Sequence, residues 1–193
     1  VTHHPLIFRP LNRIDGATPQ GASILNAAAH GLAVFAMHTN LDAAAGGLND
    51  LLARRVGMRR THPLGTEGAA APDAVGFGRM GRLAAAMSVR KLAALVKQKL
   101  AIGRVRLVGA PGMRVERAAV VTGSGGGLVP LFLRSSAEVL ITGDLRYHDA
   151  RDIEAAGRAA IDIGHFHSER LMAESVADRL QRRLQRGRPP VRV

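Results

Sequence analysis

Side chains suited to metal binding fall in three short fragments of this chain: His3 and His4 in V-T-H-H-P-L, Asp42 in H-T-N-L-D, and His165 with Glu169 in G-H-F-H-S-E. Imidazole and carboxylate ligands suit zinc, iron, manganese or nickel, and no cysteine is present to add a thiolate. Consecutive residues of an extended backbone point to opposite sides, so His3 and His4 are expected to serve two neighbouring ions rather than to chelate one. Pro5 restricts His4 to extended conformations and supports that divergence. A carboxylate at Glu169, four residues after His165, could bridge two cations about 3.5–4 Å apart, the spacing used by two-metal hydrolases. The charge of two divalent ions exceeds that of Asp42 and Glu169 together, and the surplus favours hydroxide or an anionic substrate.

Each fragment also has a plainer reading. A double histidine can be a surface feature, and Asp42 in the first turn of a helix would complement the helix dipole. His38, four residues before Asp42, and His148 in G-D-L-R-Y-H-D are expected at strand ends facing the same rim, where either could move protons near neutral pH. The alternative for both is a hydrogen bond that orients a metal ligand. His167 is expected to point away from the metal site, Tyr147 could contact substrate or pack, and His30 and His62 carry no usable signal.

Delivering these fragments to one place requires strands and helices, and the apolar patterning predicts an alternation of the two, hence an α/β protein with largely parallel pairing. L-A-V-F-A-M-H (32–38) predicts a buried strand, followed by a helix over 41–56. Residues 57–80, rich in Gly, Pro and Thr, predict a crossing between subdomains. A helix is expected over 88–101 with Ser88 as its N-cap. Strands over 104–109 and 115–122, a helix near 128–137, a strand over 139–143, a helix from Asp149, a strand over 159–163 and a last helix from Ser168 follow. The expected architecture is two interlocked α/β subdomains with mixed sheets, one from residues 1–60 plus 160–193 and the other from 61–159. The metal site would lie between them at the carboxyl ends of strands.

Composition narrows the function classes. A chain of 193 residues can bury a real core. It has no apolar run long enough to span a bilayer, and V-T-H-H-P lacks the features of a signal peptide, so a cytoplasmic protein is expected. The net charge of +12 invites a nucleic-acid reading, since clustered cations release counterions from phosphates. However, the basic residues are 24 Arg against 3 Lys in an Ala- and Gly-rich chain, a bias that a codon-skewed genome also produces, and one Tyr and no Trp leave few platforms for stacking bases. The densest cluster is the final R-L-Q-R-R-L-Q-R-G-R-P-P-V-R-V. Two glycine motifs could mislead. G-F-G-R-M-G (76–81) fits the dinucleotide fingerprint, but no Asp or Glu stands between Asp73 and Glu116 to hold a ribose, so a turn is expected there. G-S-G-G-G (123–127) has no following Lys-Ser or Lys-Thr pair and predicts a strand-to-helix turn that could also act as a substrate loop.

In this order, V-T-H-H-P-L-I-F, H-T-N-L-D-A-A-A-G-G-L-N-D, T-G-S-G, I-T-G-D-L-R-Y-H-D-A and D-I-G-H-F-H-S-E resemble successive signatures of the NGG1-interacting factor 3-like proteins, whose members are often labelled GTP cyclohydrolase 1 type 2 homologs. The resemblance implies that His3, His4, Asp42, His165 and Glu169 bind a dinuclear metal centre. It also implies a homohexameric toroid, a trimer of dimers with its sites facing the interior. The activity it implies is metal-dependent hydrolysis of a nucleotide-like substrate, in which a metal-bound hydroxide would attack C8 of the guanine ring of GTP, with ring opening and release of formate. The competing expectation is a non-enzymatic metal-binding or regulatory ring that contacts nucleic acid through its arginines. Members of that family carry a further segment ahead of the double histidine, including the strand that delivers it, and some carry a large central insertion. By that pattern this sequence is expected to lack both, which would leave the first subdomain incomplete.

Overall fold

V-L-I-T-G and A-A-I-D are short, almost wholly apolar stretches, and such stretches form strands covered on both faces. In the computed structural model, which describes residues 1–66 and 75–185, they are the strands β5 (Val139–Gly143) and β6 (Ala159–Asp162), buried at every position. The chain forms two compact units, Val1–Leu41 and Asp42–Val193.

The first unit holds one long helix, α1 (Pro19–Ala29). Thr18 caps it by accepting the Gly21 N–H at 3.1 Å, and Pro19 occupies the first turn, where its missing N–H costs nothing. The buried strand expected over 32–38 does not form. Residues 2 and 36 make a single parallel bridge, and Leu32 and Phe35 are 61% and 63% exposed. An apolar run becomes a strand only where another strand offers its hydrogen-bonding edge along several residues. Here, among the described residues, only Thr2 does so, through its N–H to Phe35 O and its carbonyl to Met37 N.

The helix expected over 41–56 is divided. α2 (Thr39–Ala43) carries the chain from the first unit into the second, and α3 (Leu48–Arg55) follows. Gly46 between them takes φ +65°, a left-handed conformation that ends a helix. α3 buries Leu48, Asn49, Leu52 and Ala53 on one face.

The second unit is built on a six-stranded mixed sheet of order β1-β2-β4-β5-β6-β3, with β1 (Arg59–Pro63), β2 (Arg79–Ser88), β3 (Arg106–Val108) and β4 (Arg114–Ser124). β4, β5 and β6 run parallel at its centre, while β1 and β2 extend one side and β3 the other by antiparallel pairing. β1 and β2 fall in or next to the stretch read as a crossing. Their exposed basic residues, such as Arg59 and Arg82, hide the strand pattern, and residues 67–74 of that stretch lie outside the described residues. The G-F-G-R-M-G segment holds a turn at Gly78 (φ +67°) and then enters β2.

Helices connect the central strands as a parallel sheet requires. α4 (Val89–Leu100) follows the expected bounds closely; Ser88 Oγ accepts the Lys91 N–H at 3.2 Å, and Val89, Leu92, Ala93, Val96 and Leu100 form its buried face. α5 (Val129–Arg134) joins β4 to β5, and α6 (Tyr147–Ala155) joins β5 to β6. Phe132, Leu140, Ile153 and Ala160 meet in the core between these elements. The last helix begins earlier than expected and is broken into α7 (His165–Glu169) and α8 (Leu171–Leu184). Among the described residues no helix is long and apolar enough to cross a membrane.

Candidate metal centre

Three parallel neighbours end together, so the last residues of β4, β5 and β6 and those that follow them share one edge of the sheet, the edge at which open α/β folds carry their chemistry. They are the T-G-S-G segment (122–125) that closes β4, Gly143 with Asp144, and Gly164 with His165. The backbones approach closely. A Cβ on Gly143 would stand 2.7 Å from Gly164 C and His165 N and 2.8 Å from Gly123 O. Gly143→Ala is therefore expected to spread the strand ends and destabilise the chain by about 1–3 kcal/mol, measured as a lower urea midpoint at unchanged slope.

His165 and Glu169 stand one helical turn apart on α7, with Nε2 and Oε1 separated by 3.0 Å. The Glu169 side chain is 10% exposed. On its other side, the His165 ring meets Asp144, whose Oδ2 lies 2.8 Å from Nδ1. An imidazole that donates through Nδ1 directs the lone pair of Nε2 at the Glu169 carboxylate. Two such atoms at that distance share a proton as an ion pair or hold another cation between them. Gly123 leaves room for the pair. Its φ is +67°, and a Cβ there would lie 2.5 Å from Glu169 Oε1 and 3.4 Å from His165 Nε2. Ser168 ties α7 to the end of β4 by accepting the Gly123 N–H at 2.8 Å, and it donates to His165 O.

Asp42 is likewise nearly buried, and its carboxylate is oriented by the residue of β4 that precedes Gly123. Thr122 Oγ1 donates to Asp42 Oδ1 at 3.1 Å. Asn49, on α3 and 1% exposed, donates to the Asp42 carbonyl and accepts the Thr122 N–H, both at 2.9 Å. Arg79 holds the chain just after Asp42. Its guanidinium pairs with Asp50 through Nε at 2.7 Å and Nη2 at 3.1 Å, and it donates to the carbonyls of Ala43, Ala44, Gly76 and Gly78.

In the first unit, His3, His4 and His38 each offer a ring nitrogen, and these nitrogens lie within 4.8 Å of one another. All three ring pairs have centroids 5.1 Å apart. Residues 3 and 4 form a bend, not a strand, so both side chains reach one neighbourhood. His3 Nδ1 lies 2.8 Å from Met37 O, which assigns the proton to Nδ1 and presents Nε2. His148 is placed differently, exposed in the first turn of α6 with its ring edge-on to Tyr147 at 5.4 Å.

Four residues with roles in this arrangement do not stand out from the sequence: Asn49, Thr122, Asp144 and Ser168. Each lies within or beside one of the five family-like motifs. Their part is to hold other side chains, which spacing along the chain does not express.

A family profile described as Duf34/NIF3 (NGG1p interacting factor 3) matches residues 1–192. A GTP cyclohydrolase 1 type 2 homolog of Lactococcus lactis is 35% identical over 184 residues, covering 94% of this chain and 68% of the relative. NGG1-interacting factor 3 of Saccharomyces cerevisiae is 28% identical, with 91% of this chain and 65% of that protein covered. Among solved structures, a hypothetical protein of Staphylococcus aureus superposes with a TM-score of 0.83 at 29% identity, over 94% of this chain and 72% of that one. A Bacillus cereus protein related to NIF3 has the same fold, with a TM-score of 0.90 at 24% identity over 98% of this chain and 78% of its own. With the ordered motifs, the mixed sheet and the profile match over residues 1–192 in agreement, the chain belongs to the Duf34/NIF3 family.

Proposed function

We propose that this chain binds two divalent metal ions and uses them as a hydrolase of a nucleotide-like substrate. The observation that carries the reading is the pairing of His165 with Glu169 over Gly123, next to a Thr122 that orients Asp42. Imidazole and carboxylate donors held near one sheet edge, with Asp144 fixing the His165 tautomer, match what a divalent ion of the zinc, iron, manganese or nickel kind requires. In this reading His165, Glu169 and Asp42 hold the ions together with His3 and His4, and His38 and His148 are the acid–base candidates. A hexameric toroid is part of the same proposal. When bound, two such ions supply Lewis acidity and a water acidic enough to act near neutral pH. The chain's own residues orient and hold protons: Asp144 keeps that of His165 on Nδ1, and Thr122 aims its own at Asp42.

GTP is the substrate suggested by the names of the relatives. Incubating the metal-loaded chain with GTP is expected to release formate and yield a fluorescent pterin precursor. Turnover no greater than that of a Glu169→Ala control would overturn the hydrolase reading. Metal binding without turnover would favour the non-enzymatic alternative. Arg79, Arg106, Arg117, Arg158, Arg170 and Arg179 all donate to main-chain carbonyls within the fold, and the last eight residues of the basic tail lie outside the described residues.

A further inference from the structure

Just ahead of G-S-G-G-G (123–127), expected as a strand-to-helix turn or a substrate loop, β4 carries a residue with a more definite task. Thr122 is 7% exposed and bonds through both main chain and side chain to groups that define Asp42. Its N–H is taken by Asn49 Oδ1, and the other end of that amide donates to Asp42 O. One side of the Asn49 amide faces an acceptor and the other a donor, so it cannot flip without breaking both bonds. The distance between the Thr122 and Asp42 backbones is thereby set by a rigid planar group. Across that distance the Thr122 hydroxyl donates to Asp42 Oδ1.

We infer that Thr122 is a positioning residue for the Asp42 carboxylate: its hydroxyl on Oδ1 fixes the orientation in which the carboxylate is offered to a divalent cation. The inference rests on the proposed metal binding and goes beyond it by assigning the residue that sets how Asp42 binds. Hydrogen-bond partners that orient a metal-binding carboxylate typically matter about 10–100-fold for affinity. Thr122 reaches Asp42 rather than the cation, so its effect is indirect.

The test is Zn2+ affinity of the full chain, by competition with a chromophoric chelator, alongside thermal unfolding without metal. Thr122→Val keeps the side-chain shape and the main-chain bond to Asn49 but removes the donor. It is expected to fold and to bind Zn2+ about 10–100-fold more weakly. Thr122→Ser, which restores the hydroxyl, should return the affinity of the unaltered chain. Unchanged affinity in Thr122→Val, equal weakness in both variants, or a Thr122→Val chain that fails to fold each overturns the inference and leaves the metal reading standing. An unaltered chain that binds no Zn2+ overturns both.

Discussion

Replacing Asp50 with alanine is expected to destabilise the folded chain by about 3–5 kcal/mol, because it strands a buried cation. The Arg79 side chain is 3% exposed and Asp50 carries the only carboxylate that pairs with it among the described residues. The carbonyls of Ala43, Ala44, Gly76 and Gly78 would still accept hydrogen bonds, but they bring no net charge to balance the guanidinium. Asp50 also accepts the Gly46 N–H at 2.7 Å, at the break between α2 and α3. Losing it frees the loop that follows Asp42 as well. Chemical denaturation should show a much lower midpoint, and Asp50→Asn, which keeps the shape and some of the bonding, should lie between. A midpoint within experimental error of the unaltered chain would mean that water reaches Arg79 freely.

Removing the Glu169 carboxylate is the second large effect. Glu169→Gln is expected to weaken divalent metal binding by more than about 100-fold, beyond the range seen when only an orienting partner is lost. The fold should survive. The glutamine fits the same space over Gly123, and Ser168 holds α7 to the turn independently of position 169. Removing a negative charge that faces the His165 ring also relieves a buried carboxylate of its desolvation cost. Metal titration followed by calorimetry, with circular dichroism on the same samples, separates the two quantities. Retained stoichiometry and affinity would place the ions elsewhere.

The contrast between these two residues shows which information the chain carries openly. Glu169 stands out from sequence because it is a carboxylate four residues from a histidine, after an apolar strand. Asp50 and Arg79 do not, because they are two ordinary charged side chains 29 positions apart whose pairing depends on where α3 crosses the sheet. The same holds for Asn49 and Thr122, neutral residues with no titratable signal. Local elements divide in the same way. The capped, one-faced helix α4 and the apolar strands β5 and β6 were legible because caps and burial patterns are local. β1 and β2 were not, since their polar faces hide the alternation, and the apolar run over 32–38 misled because burial depends on a partner that the run cannot supply itself.

By itself the sequence determined the inventory: which donors exist, that none is a thiolate, their order along the chain, and the family to which that order belongs. Tertiary structure decided how the second unit arranges its share of them. Parallel pairing of β4, β5 and β6 brings three distant turns to one edge, and glycines at 123 and 143 allow backbones and carboxylates to approach more closely than any side chain would permit. The orientation of each donor then follows from hydrogen bonds between residues 21 to 80 positions apart, Asp144 to His165 and Thr122 to Asp42. Such bonds are properties of the packed chain, because an amide or hydroxyl chooses its partner only after the backbone has brought that partner within reach.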